Sequence, residues 1–219
     1  HGAQAVPLVR AFLDNQLTRS DALRALRAAD YGWPELAVAL KAVGMTPAEL
    51  ARAFRGEGAK ASDLLAGLRK LELSEPEQVQ ALREARLAPA AIVQELQAIG
   101  LTPAAIARAL GRAELPWPEV AKALAANRVT GLQLAAALKE AECEPVDAAL
   151  ALKAAGQSRP EIAQQMKQLG YDRVYVARAL KRLGSSSAEI AASLRQLGFA
   201  IGDVALALLK PLLEDESVL

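Results

Sequence analysis

Residues 46–59 read TPAELARAFRGEGA, residues 102–115 read TPAAIARALGRAEL, and residues 158–171 read SRPEIAQQMKQLGY. Read from Gln4 in steps of 14, the chain follows this pattern without an insertion as far as Leu213. The ninth position shows the repeat most clearly, because it holds a large apolar residue in all fifteen units. Periodicity of this kind is the sequence signature of a repeat architecture.

Each unit carries the start and stop signals of one short helix. Ser or Thr at position 1 suits an N-cap, and an acid three residues later completes a capping box. Proline stands at position 2 or 3 in eight units, and glycine at position 13 in seven. Proline is tolerated in the first turn of a helix, and glycine favours the left-handed residue that ends one. Each unit is therefore predicted to form a helix of about ten residues and a short turn.

The true period is 28 residues, because position 1 alternates in character. In the even units this position is always a hydroxyl residue: Thr18, Thr46, Ser74, Thr102, Thr130, Ser158 and Ser186. The alternation predicts two antiparallel layers of helices with a different kind of turn at each edge. Recurrent proline and glycine exclude a continuous coiled coil, the other reading of a 14-residue spacing. The predicted fold is all-α: an α-solenoid, a right-handed superhelix of about fifteen short helices, in one domain over residues 4–213.

Two family resemblances accompany this pattern. The chain resembles in kind the tetratricopeptide and HEAT classes of two-helix repeats, although its period matches neither class. The openings MTPAEL (45–50) and LTPAAI (101–106) resemble the first residues of TAL-effector DNA-binding repeats. The period differs from that family, and its two-residue base-reading loop is not recognisable here. The second resemblance implies DNA binding.

Composition argues against catalysis. The chain has 219 residues, a formal net charge of +1, one histidine and one cysteine. If His1 belongs to a cloning remnant, no nucleophile–histidine pair is left, and one cysteine cannot form an ordinary zinc site. The glycines are spaced as helix stops and not as a phosphate loop, and capping accounts for many of the carboxylates that could form an acid pair. We therefore expect a non-enzymatic protein without cofactor or metal. Cys143 is interpreted as a small buried hydrophobe, and a single cysteine favours the cytoplasm. No run reaches the roughly 18 apolar residues of a membrane span. Residues 1–3 are interpreted as a cloning remnant.

Departures from the consensus mark candidate contacts for a protein or peptide, which is the first functional hypothesis. Trp33 and Trp117 both occupy position 2 and are 84 residues apart, so they are predicted to lie on one edge. Tryptophan is favoured at binding hot spots. Tyr175 replaces the usual acid at position 4, and Glu95 interrupts the small residues at position 8.

Position 10 supplies the second hypothesis, nucleic-acid binding, because it is basic in ten of the fifteen units. One cation per repeat resembles a track for a phosphate backbone. Position 10 also lies in the last helical turn, where a cation complements the helix dipole, and we favour that structural interpretation. Residues 158–195 are the most basic stretch, with seven cations against three acids. The candidate nucleic-acid contacts are Arg27, Arg55, Arg83, Lys139, Lys167, Arg178, Lys181, Arg182 and Arg195.

The last unit supplies a third hypothesis, an architectural rod that assembles end to end. Leu206, Leu209 and Leu212 leave this unit without the polar face expected of a terminal repeat. Residues 214–219 form an acidic tail that begins with Glu214, Asp215 and Glu216. We therefore expect either coverage by this tail or a homo-oligomer formed through the C-terminal unit.

Overall fold

The structure, a computed structural model, describes residues 2–200, 202, 204 and 205 of the 219-residue chain. Within these residues it contains fourteen α-helices and no strand, which confirms the predicted all-α repeat fold. The helices are α1 Gly2–Asp14, α2 Arg19–Ala28, α3 Trp33–Lys41, α4 Pro47–Gly56, α5 Ala61–Lys70, α6 Glu75–Glu84, α7 Pro89–Ala98, α8 Pro103–Arg112, α9 Trp117–Ala126, α10 Gly131–Glu140, α11 Pro145–Ala154, α12 Arg159–Gln168, α13 Arg173–Arg182 and α14 Ser187–Gln196. The fifteenth predicted helix, with Leu206, Leu209, Leu212 and the acidic tail, lies mostly outside the described residues.

The helices begin where the capping pattern predicts. In α4, the Thr46 hydroxyl accepts the Glu49 N–H at 3.3 Å, and the Glu49 carboxylate accepts the Thr46 N–H at 2.8 Å. The same reciprocal pair starts α2, α12 and α14. Thr102 caps α8 through its hydroxyl alone, because position 4 of that unit is Ala105. Thr130 makes no side-chain cap.

The helices end in a left-handed residue at position 13. Gly44, for example, has a φ of 87° and donates its N–H to the Lys41 carbonyl, while Met45 donates to the Leu40 carbonyl. These two hydrogen bonds form the Schellman motif, which satisfies carbonyls at the end of a helix. The predicted glycine turns are confirmed. Seven turns adopt the same conformation without glycine, at Gln16, Asp30, Glu72, Arg86, Glu114, Arg128 and Glu142.

The helices form two compact units, α1–α7 within residues 1–99 and α8–α14 within residues 100–219. In the first unit, α3 packs on α1 and α5, and α4 packs on α6; in the second, α11 packs on α9 and α13, and α10 packs on α8 and α12. Odd helices thus neighbour odd helices and even helices neighbour even ones, as a two-layer repeat requires. A single domain over residues 4–213 stays a prediction.

The core lies between the layers and is built from unit positions 5, 6 and 9. In α4 these positions are Leu50, Ala51 and Phe54, with 1%, 1% and 2% of their surface exposed. Small residues let helices of one layer approach. At Gly67 an added Cβ would lie 3.1 Å from Cε2 of Phe54 and 3.5 Å from the Trp33 backbone oxygen, so a side chain there would crowd Phe54, and glycine lets α5 pack closely on α3.

Candidate functional site

The cations at position 10 connect successive repeats of one layer. Arg55 donates to the Ala85 carbonyl, Lys139 to that of Leu169, and Lys167 to that of Leu197, each 30 residues further along the chain. The acceptors are C-cap carbonyls, which have no partner within their own helix. A cation of one helix therefore stabilises the carboxyl end of the next helix in its layer.

This arrangement revises the interpretation of the position-10 cations. The sequence indicated that each cation complements its own helix dipole, whereas three of them bind the C-terminus of the neighbouring helix. The odd layer contains the same contact, since Lys41 Nζ donates to the Leu71 carbonyl at 3.4 Å. Such cations have a structural role that is independent of any phosphate.

The two tryptophans pack against position 10 of the preceding even helix. Trp33, in the first compact unit, is half-buried below the Arg27 guanidinium, which lies 4.2 Å from the ring centroid. Arg27 also donates to the Tyr31 carbonyl at 2.7 Å, and Phe54 packs 5.0 Å from Trp33. The Trp33 ring is thus held by side chains of the neighbouring helices α2 and α4.

Trp117, in the second compact unit, explains why position 10 of α8 is glycine, the one even helix without a cation there. At Gly111 an added Cβ would lie 2.7 Å from Cη2 of the Trp117 ring, so any larger residue would force the ring to move. Trp117 is half-buried. Each tryptophan is therefore packed locally and keeps part of its surface exposed.

Tyr175 is 42% exposed and packs against one other tyrosine. Its ring lies 6.4 Å from that of Tyr171 in an edge-to-face arrangement, and Lys139 Nζ lies 5.0 Å from the Tyr171 centroid. Two predicted contact residues, Tyr175 and Lys139, therefore each lie against Tyr171. Burial raises the pKa of Tyr171.

Cys143 is buried, with 5% of its surface exposed. Desolvation, with the nearby carboxylates of Asp147 and Glu144, raises the pKa of its thiol to about 12. The thiol is therefore protonated at neutral pH, and a reactive thiolate would be strongly disfavoured.

The remaining predicted contacts are scattered. Glu95 is half-buried on α7, at the end of the first unit. Arg178, Lys181 and Arg182 lie on α13, where Arg178 is half-buried and the other two are exposed. Arg83 is half-buried on α6, and Arg195 is exposed on α14. None of these residues lines one of the grooves described below.

The second compact unit contains a groove of about 520 Å³ between α12 and α14, hereafter the α12–α14 groove. These two helices pack less closely than α8 and α10, which leaves the space between them open. Lys167 bridges one end of the groove through its bond to the Leu197 carbonyl. The lining residues are Pro160, Gln164, Lys167, Gln168, Ser193, Gln196 and Leu197.

Amide side chains give this groove its chemistry. Within the part of the chain that the structure describes, Gln164, Gln168 and Gln196 make no side-chain hydrogen bond. Each amide offers two N–H donors and a carbonyl acceptor. Sequence reasoning missed these residues, although a signal was present: α12 carries Gln164, Gln165 and Gln168 where most units have alanine or a charged residue.

Two further grooves differ in character. One of about 380 Å³ separates α4 from α6 and is lined by Thr46, Pro47, Ala48, Glu77, Gln80, Ala81 and Glu84. Another of about 300 Å³ lies between α3 and α5. The first is acidic, and its Glu77 carboxylate is engaged with the backbone N–H of Ser74 at 2.8 Å.

No protein-family model and no curated protein matches the sequence. In the described residues, no three His, Cys, Asp or Glu side chains cluster as a metal site would require. None of the helices described is both long and apolar enough to cross a membrane.

Proposed function

We propose that the protein is a non-enzymatic binding scaffold whose α12–α14 groove receives a peptide in extended conformation. The observation that carries this proposal is the set of amides lining the groove. A peptide main chain presents alternating N–H and C=O groups, and Gln164, Gln168 and Gln196 can pair with both kinds.

The other two hypotheses have less support. Nucleic-acid binding rested on the regular cations, and Arg55, Lys139 and Lys167 each donate to a neighbouring C-cap carbonyl. Self-assembly rested on Leu206, Leu209 and Leu212, which lie outside the described residues. We further propose a cytoplasmic location, because the single buried thiol of Cys143 has no cysteine partner within the chain.

Selection from a phage library of random 12-residue peptides tests the function. Peptides enriched on the purified full chain are synthesised, and their affinities are measured by fluorescence anisotropy. Each hydrogen bond contributes about 0.5–1.5 kcal/mol, so the triple variant Gln164→Ala, Gln168→Ala, Gln196→Ala should bind at least about tenfold more weakly.

The matched control changes glutamines outside the groove. Gln94→Ala with Gln133→Ala alters two exposed amides on α7 and α10, and affinity should stay within about twofold of wild type. Equal affinities of the triple variant and wild type, or failure to enrich any peptide, would contradict the proposal.

A further inference from the structure

Successive odd helices pack through two different faces. At Gly67 in α5, an added Cβ would lie 3.5 Å from the Cβ of Ala37 in α3, so position 8 of one helix faces position 6 of the odd helix before it. Positions 5 and 8 are three residues apart and share one side of a helix, hereafter its leading face. The side that carries position 6 is hereafter its trailing face. The contact between α3 and α5 thus joins a trailing face to a leading face.

The leading face of α1 is uncovered. Leu8, at position 5, is 39% exposed, and Ala11, at position 8, is exposed as well. In every later odd 14-residue unit, position 5 is at most 6% exposed, which is the value at Val204. The turn after α1 shows the same difference, because Leu17 is 42% exposed and Met45, at the same position two units later, is 9% exposed. An apolar face that the other odd helices bury is therefore open on α1.

The trailing face is uncovered at the other end of the described residues. Ala205 stands at position 6 of the last unit and is exposed, whereas position 6 of the earlier odd units is at most 2% exposed. Val204, at position 5 beside it, is buried. The leading side of this segment is thus covered and its trailing side is not. In the sequence, Leu209 and Leu212 follow Ala205 by four and seven residues, which is the spacing of one helical stripe, and both lie outside the described residues.

We infer that the protein self-associates head to tail, with the leading face of α1 packed on the trailing face around Ala205 of a second copy. The two faces are complementary because they are the two halves of the contact that joins odd helices inside the repeat. A second copy of α1 would offer another leading face, which is not the partner that α3 offers to α5. A head-to-tail contact is heterologous, so it passes from copy to copy and builds a ring or an open chain. The contact uses the odd layer and is independent of the α12–α14 groove.

Sedimentation velocity of the full chain between about 1 and 100 µM tests this inference. The mean mass of the wild type should rise with concentration. Ala11→Arg and Ala205→Arg each place a charge within one of the two faces, where burial without a partner is costly, so each should raise the dissociation constant at least about tenfold. Leu132→Glu is the control, because Leu132 is a 44% exposed apolar residue on α10, and this variant should associate as the wild type does.

A mixture of the two arginine variants tests the direction of the contact. Ala11→Arg keeps an intact trailing face, and Ala205→Arg keeps an intact leading face. Their equimolar mixture should therefore form dimers of twice the monomer mass and nothing larger. Both residues are exposed within a single chain, so both variants should fold, and thermal melting by circular dichroism checks this. Leu8→Glu replaces Ala11→Arg if that variant is unfolded.

Three outcomes would overturn the inference. The first is a wild type that stays monomeric at 100 µM. The second is self-association of Ala205→Arg alone with the affinity of the wild type, which would indicate that α1 pairs with α1. The third is an equal loss of association in Leu132→Glu, which would place the contact elsewhere.

Discussion

At the scale of single residues, the turns contain conformational strain that glycine would relieve. Glu142 has a φ of 64°, and Gly156, at the same position of the next unit, has a φ of 93°. Residues other than glycine adopt this left-handed region at a cost of roughly 1 kcal/mol. The Schellman hydrogen bonds hold Glu142 there, since its N–H donates to the Lys139 carbonyl.

Exchanging these residues should therefore change stability in opposite directions. We expect Glu142→Gly to raise the free energy of unfolding by up to about 1 kcal/mol and Gly156→Ala to lower it by about the same amount. Urea unfolding followed by circular dichroism measures both changes. A loss of stability in Glu142→Gly would show that the glutamate side chain contributes more than its backbone conformation costs.

Residue-level packing was the part least accessible to the sequence. Glycine at position 13 predicts a left-handed turn, but Glu142 at that position does not. Only the hydrogen bonds of the folded turn impose the left-handed conformation on Glu142. Gly111 stands at position 10, where most units have a cation, and the glycine is explained by the Trp117 ring, which approaches from the following helix. Such a contact depends on how two helices meet, which their local patterns do not specify.

At the scale of helices, the capping carboxylates couple the fold to pH. Hydrogen bonds from the backbone N–H and hydroxyl of Thr46 lower the pKa of Glu49, and equivalent bonds lower those of Asp21, Glu77, Glu161 and Glu189. A carboxyl whose pKa is lower in the folded state stabilises that state above its unfolded pKa, and the contribution is lost as pH falls through the folded pKa.

We therefore expect the melting temperature to fall as the pH is lowered below about 4.5, the ordinary pKa of these glutamates. A variant with Glu49, Glu77, Glu161 and Glu189 changed to glutamine should show a shallower acid dependence, because a neutral amide keeps the hydrogen bond without titrating. Thermal melts between pH 6 and pH 3 measure the difference. Changing Glu75, Glu140 and Glu142 to glutamine instead is the control, and an equally shallow curve there would contradict the capping explanation.

Helix boundaries were predictable from sequence because each end has its own local signal, such as Thr46 before Pro47 or Gly44 after Lys41. The cation–carbonyl contacts were not, because a sequence places Lys167 on its own helix but does not say which neighbouring turn its amine reaches. The α12–α14 groove was missed for the same reason. Gln164 and Gln196 look like ordinary surface residues until the distance between their helices is known.

For the whole molecule, the contacts between position-10 cations and main-chain carbonyls predict that any nucleic-acid binding depends less steeply on salt. Ten position-10 cations that each contacted a duplex phosphate would give a log K against log salt slope of about −9. Five of the ten donate to main-chain carbonyls instead: Arg27, Lys41, Arg55, Lys139 and Lys167. With these five excluded, we expect a slope no steeper than about −4.5. Titration of a labelled 20-base-pair duplex between 50 and 200 mM NaCl measures the slope, and a value near −9 would restore the nucleic-acid hypothesis.

The central claim is that a peptide binds between α12 and α14. Photo-crosslinking tests it most directly: a library-selected peptide with a benzophenone side chain at its centre is irradiated on the full wild-type chain, and the adducts are located by mass spectrometry. We predict crosslinks concentrated in Arg159–Gln168 and Ser187–Gln196. Crosslinks concentrated at α4 and α6, or beside Trp33 or Trp117, with none in α12 or α14, would contradict it.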